Sequence, residues 1–149
     1  MELLLVEDDP LQEALYRRVF ERVVDRLHIA GSVADATSFI EAAATGRAPD
    51  VVVVDVMLNL ESGFDVLDVL RRLPHFATVP VVVWSTSVRP EYVERCRFDE
   101  HCVVVSKPFG IDELAAFASE IATVGELAAG STAARPFRFG DHDFGGFAT

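Results

Sequence analysis

The chain has 149 residues, half of them hydrophobic and a quarter charged, which is the length of one ordinary domain and too apolar for wholesale disorder. Asp and Glu number 24 against 13 Lys and Arg, and the resulting formal net charge of -11 repels nucleic-acid phosphates and anionic lipid. No apolar run approaches the roughly 20 residues of a membrane span, and Met1-Glu2-Leu3-Leu4-Leu5-Val6-Glu7-Asp8 lacks a secretory pattern. The two cysteines, Cys96 and Cys102, give no disulfide framework, so the expectation is a cytoplasmic protein.

Leu3-Leu4-Leu5-Val6 opens the pattern as a first strand. Asp9-Pro10-Leu11-Gln12 then reads as a helix start, with Asp9 as cap and Pro10 in the first turn. Leu11, Leu15, Val19 and Val23 step by four and predict the buried stripe of that helix. Leu27-His28-Ile29-Ala30 is the weakest strand, and Ser32 caps a second helix carrying Ala36, Phe39, Ile40 and Ala43. Val51 to Val54 follow Pro49-Asp50, and a third helix with Phe64, Leu67 and Leu70 must end at Pro74. Val81-Val82-Val83-Trp84 comes next, then a short helix from Pro90 to Phe98, then Cys102-Val103-Val104-Val105. Leu114, Phe117, Ala118, Ile121 and Val124 mark a fifth helix.

Three of the runs are continuous and β-branched, which suits strands covered on both faces. Strand alternating with helix five times predicts an α/β fold, a doubly wound five-stranded parallel sheet flanked by helices. The domain is expected over residues 1–124. Residues 125–149 read as a Gly- and Phe-containing tail, a flexible end or else a docking segment using Phe137, Phe139, Phe144 and Phe147.

In such sheets the chemistry lies beyond the carboxyl ends of the strands. Glu7 and Asp8 follow the first strand, Asp55 ends the third, Ser85 the fourth, and Lys107 follows the fifth. Crowded carboxylates need a cation among them, and an all-oxygen set points to a hard ion, Mg²⁺. Lys107 would supply a point charge and Ser85 a hydrogen bond to a phosphate, while Asp55 is placed to attack phosphorus and become an aspartyl phosphate. Cys96, His101 and Cys102 lack the four-ligand pattern of zinc and read as core residues. Trp84 likewise reads as core or interface filler, and His28, His75 and His142 receive no role.

Leu4-Leu5-Val6-Glu7-Asp8-Asp9, Val54-Asp55-Val56-Met57, Gly63, Pro80-Val81-Val82-Val83-Trp84-Ser85 and Ser106-Lys107-Pro108-Phe109 together resemble the receiver domain of response regulators, the CheY-like, flavodoxin-like type, in its stand-alone form. The resemblance covers roughly residues 1–124. It implies strand order 2-1-3-4-5, Asp55 as phosphoacceptor, Asp8 as direct metal ligand, Glu7 holding metal-bound water, and the Met57 carbonyl as a further ligand. Ser85 and Lys107 take the roles of the hydroxyl and lysine that follow the phosphoryl group, and the Lys107–Pro108 bond is expected to be cis. The implied partners are a histidine kinase or phosphotransfer protein and a downstream protein target on the face of the fourth helix, fifth strand and fifth helix, with no nucleic acid or membrane, and with homodimerisation left open. Ser85-Thr86-Ser87 and the segment around Cys96 also look like receivers that partner phytochrome-type kinases.

Two positions depart from the family pattern. Val104 stands where an aromatic residue usually turns inward, and Asn59 stands where proline is common, which is expected to loosen that loop. The alternative functions are a phosphorylation-independent pseudo-receiver and an aspartyl-phosphate phosphohydrolase. The second of these would want an acid where Met57 stands.

Overall fold

The computed structural model describes residues 1–43 and 46–130, together with the backbone of 138–139 and 142–143. Five parallel strands form the central sheet: β1 (Glu2–Val6), β2 (Arg26–Ala30), β3 (Val51–Asp55), β4 (Val81–Ser85) and β5 (Cys102–Ser106). Their order is β2-β1-β3-β4-β5, as the resemblance implied. Helices α1 (Pro10–Phe20), α2 (Val33–Ala43), α3 (Phe64–Arg72), α4 (Pro90–Arg97) and α5 (Gly110–Gly130) alternate with them.

The register explains why both faces of each strand are apolar. Leu5, Val53, Val82 and Val103 line up across the sheet. They belong to a core closed by α1 and α5 through Tyr16, Phe20, Phe117 and Ile121. The alternate residues Leu4, Val52, Val81 and Cys102 belong to a second core closed by α2, α3 and α4. A strand side chain switches face at every residue, so a strand between two helical layers must be apolar at every position. Only β2, at an edge, escapes this rule: Arg26 and His28 are exposed, and His28 stacks on Phe39 at 4.1 Å. Its weak apolar run is that of an edge strand.

The caps are where the residues put them. The Asp9 carboxylate accepts from Leu11 N–H at 2.9 Å, Ser32 Oγ accepts from Asp35 N–H at 3.1 Å, and Leu73 ends α3 just before Pro74. The stripe of α1 is displaced from the expected one. Tyr16, Val19 and Phe20 are buried, whereas Leu11 is 86% exposed. Each four-residue step overshoots a 3.6-residue turn by roughly 40°, so a run of fours winds off any single face.

Helix α5 continues to Gly130, beyond the last apolar step at Val124. Gly125 within it leaves room for the Met1 side chain, whose Cε lies 2.1 Å from where a Cβ would stand. Arg138–Phe139 and His142–Asp143 form a two-residue antiparallel ladder. Of the four phenylalanines considered for docking, Phe137, Phe144 and Phe147 lie outside the described residues, as does the side chain of Phe139. Among the described residues no helix is long and apolar enough to cross a membrane.

Candidate phosphoacceptor site

The alternation that builds the cores also aims the site. Glu7 continues the parity of Leu3 and Leu5, Asp55 that of Val51 and Val53, and Lys107 that of Val103 and Val105. All three therefore emerge on the α1–α5 side of the rim. There the Lys107 ammonium bridges two carboxylates, donating to Glu7 Oε2 at 2.6 Å and to Asp55 Oδ2 at 2.9 Å. Glu7 and Asp55 are buried, 5% and 8% exposed, at the end of an apolar sheet. Asp55 Oδ1 accepts from Met57 N–H at 2.9 Å. Tyr16 of α1 reaches in from the side, its hydroxyl donating to Glu7 Oε2 at 3.4 Å.

Asp8 and Ser85 have the opposite parity and bond other partners than Lys107, although the Asp8 carboxylate stays beside Glu7. Asp8 Oδ2 accepts from Asn59 N–H at 2.7 Å, which ties the first strand to the loop after Asp55. The Ser85 hydroxyl donates to the Ser87 carbonyl at 2.9 Å. Its backbone belongs to the site more directly, because its carbonyl accepts from Lys107 N–H at 2.8 Å. Met57 is tied to Asp55 through its N–H, and its side chain is exposed.

Electrostatics shows what the site lacks. Burial pushes the Glu7 carboxyl up to about 7 against the pull of Lys107, and the Asp55 and Asp8 carboxylates push it the same way. Burial would lower the Lys107 ammonium, but its bonds to Glu7 and Asp55 outweigh that and raise it. Two carboxylates therefore share one ammonium, with that of Asp8 next to Glu7, and their oxygen-only chemistry fits a hard divalent ion. Among the described residues no three His, Cys, Asp or Glu side chains close into a cage by themselves. A hard ion here would keep water in part of its shell, as Mg²⁺ does.

The loop after Asp55 departs from two expectations. Asn59 does not loosen it: the residue sits at φ +54° and its N–H is the donor to Asp8, two things a proline cannot supply. Gly63 closes the loop, since a Cβ there would lie 2.0 Å from the Asp55 carbonyl oxygen. The Lys107–Pro108 bond, expected to be cis, is trans, because no described peptide bond is cis. Trans is the lower-energy form of an X-Pro bond, and the turn into α5 is made at Gly110, φ +85°.

Residue-by-residue reading missed Tyr16 and took Trp84 for filler. Trp84 is indeed fully buried, yet its ring centroid lies 5.4 Å from Lys107 Nζ. No spacing signals either contact, because α1 and β4 meet only through the fold. Cys96 and Cys102 are buried core thiols; burial, then the neighbouring Cys96, pushes the Cys102 thiol well up and leaves it unreactive.

The sequence pattern of the response regulator receiver domain matches residues 3–119. The chain is 28% identical over 125 residues to the "Probable methanogenesis regulatory protein FilR2" of Methanothrix harundinacea, covering 80% of this chain and 79% of that protein. It superposes on the phosphorylated cyanobacterial phytochrome response regulator RcpA with a TM-score of 0.69 at 21% identity, over 89% of this chain and 96% of that one. The Mn²⁺-bound form of response regulator Rcp1 gives a TM-score of 0.66 at 23% identity, over 91% and 99%. At such identities the structural likeness speaks for the fold. The chain belongs to the response regulator receiver domain family, whose members act as signalling switches and not as ordinary metabolic enzymes.

Proposed function

We propose that this receiver acts as a response regulator in which Asp55 accepts a phosphoryl group from a histidine kinase or phosphotransfer protein. The observation that carries the reading is the Lys107 ammonium seated between Asp55 and Glu7 at the carboxyl rim of the sheet. In the transfer, an Asp55 carboxylate oxygen attacks phosphorus and the phosphorus–nitrogen bond of the donor phosphohistidine breaks. The electron pair returns to the imidazole, which takes up a proton. Phosphoryl transfer is served mainly by positioning and charge neutralisation. Lys107, already within 2.9 Å of Asp55, provides both. The Met57 N–H at Oδ1 fixes the carboxylate plane and leaves the other oxygen toward Lys107. Ser85 follows by releasing Ser87 and turning its hydroxyl to a phosphoryl oxygen.

Mg²⁺, held by Asp8, Asp55 and the Met57 carbonyl with Glu7 on its bound water, would supply positive charge for the phosphoryl oxygens. The Mn²⁺-bound Rcp1 and the phosphorylated RcpA share this fold and support the reading. The output is binding of a downstream protein in a cytoplasmic setting. We take the face of α4, β5 and α5 as the partner surface, by family resemblance, and self-association as a homodimer belongs to the same proposal.

Incubation with acetyl phosphate and Mg²⁺, followed by intact-mass measurement, tests it. The native protein is expected to gain one phosphoryl group and Asp55→Asn none. No mass gain in either protein would leave a phosphorylation-independent interaction module as the better reading. Steady release of inorganic phosphate through many turnovers would favour a phosphohydrolase, against which Met57 argues.

A further inference from the structure

We propose that Tyr16 and Trp84 are positioning residues for Lys107, and that they report the state of Asp55 to the α1–α5 side of the sheet. The inference rests on Asp55 being the phosphoacceptor. Val104, where an aromatic readout is expected, is 2% exposed within the core under α2–α4 and has no ring to turn. The aromatic residues of this chain converge instead on the opposite face. Trp84 lies 5.6 Å from Tyr16, 5.0 Å from Phe117 of α5 and 6.5 Å from Phe20 of α1, centroid to centroid.

Lys107 is the junction between this cluster and the site. Its ammonium lies 5.4 Å from the Trp84 ring and 6.0 Å from the Tyr16 ring, within cation–π range of both. Lys107 and the Tyr16 hydroxyl share one acceptor, Glu7 Oε2, at 2.6 and 3.4 Å. A phosphoryl group on Asp55 brings roughly two negative charges in place of one. The ammonium then follows the phosphoryl oxygens and gives up Glu7, leaving that oxygen to Tyr16 and withdrawing charge from the rings.

The rings have both room and reason to respond. Trp84 Nε1 is buried with no hydrogen-bond partner among the described residues, so packing and the Lys107 ammonium fix its orientation. An orphan donor is costly where it stands, so no hydrogen bond resists a shift of the ring. A cavity of about 650 Å³ lined by Tyr16, Trp84, Thr86, Lys107 and Leu114 opens beside the cluster. Two ring arrangements biased by one lysine are what coupling requires.

Trp84 is the single tryptophan, so its emission reports on this cluster alone. Native protein and Tyr16→Phe are treated with acetyl phosphate and Mg²⁺, with mass, emission and amide hydrogen exchange followed together. Phosphorylation of the native protein is expected to shift Trp84 emission and to change exchange in α1 and α5. Tyr16→Phe keeps the ring, and per phosphoryl group gained it is expected to lose more than about half of the emission change. Asp55-dependent mass gain with unmoved emission overturns the inference. So does an emission change that Tyr16→Phe leaves intact, with altered exchange confined to α4 and β5. Absence of any mass gain in the native protein overturns the phosphoacceptor reading and this inference with it, and the mass channel distinguishes that failure from the others.

Discussion

Asn59 and Gly63 show how narrowly single residues hold the loop that presents Asp55. Replacing Asn59 by proline removes the N–H that Asp8 accepts and demands a negative φ where the chain is at +54°. Asn59→Pro is expected to lower stability by about 1–3 kcal/mol in urea unfolding and to slow phosphorylation, since Asp8 loses its tether. A stability equal to the native protein's would show that the loop rearranges freely. Gly63→Ala sets a methyl 2.0 Å from the Asp55 carbonyl oxygen, which is backbone and cannot swing aside. That variant is expected to lose about 2 kcal/mol or more and to gain less phosphoryl mass, read by thermal unfolding and mass measurement. Gly63 was visible in the sequence only as part of a family pattern; its contact with Asp55 gives the pattern a physical cause.

At the scale of elements, the C-terminal end of α3 is fastened by Arg71. This residue donates to both Asp99 carboxylate oxygens, at 2.6 and 3.2 Å, and to the carbonyls of Phe76, Val79 and His101. Burial first, and Arg71 second, keep the adjacent His101 imidazole below its ordinary pKa. As pH falls, the unfolded chain takes up this proton before the folded one does. The contribution of His101 to stability is therefore complete above about pH 6.5 and fades below it. Glu7 works in the other sense, because its raised pKa makes the folded state hold a proton longer, so its contribution is present in acid and fades as pH rises toward about 7. Comparison with a variant separates the two. Between about pH 7 and 5 the native urea midpoint is expected to fall relative to that of His101→Gln, and parallel curves would refute the assignment. Nothing in the spacing of Arg71, Asp99 and His101 announces this arrangement, since the partners come from two separate stretches, 76–79 and 99–101.

For the molecule as a whole, the sheet is the frame and α5 is its longest brace. Met1 packs over Gly125, and Ala128 lies against the α1–α5 core, so the helix beyond Val124 belongs to the folded unit. A chain ending at Gly130 is expected to unfold at the native urea midpoint. One ending at Val124 is expected to be weaker by about 1–2 kcal/mol, through lost apolar burial. Equal stability of the two would return the boundary to residue 124.

Local chemistry by itself determined the strands, the caps at Asp9 and Ser32, the stop at Pro74 and the candidate set Glu7, Asp8, Asp55, Ser85 and Lys107. Strand runs, caps and breakers act over a few neighbouring residues and are written in the chain. Only the tertiary structure decided which members of that set meet. Register across β1, β3 and β5 brings Glu7 and Asp55 onto Lys107 on one side of the rim, while Asp8 and Ser85, of opposite parity, bond Asn59 and Ser87. The same register seats Tyr16 and Trp84 beside Lys107. Parity along a strand is local, but the partner that faces it is chosen by long-range pairing, which no short stretch of sequence contains.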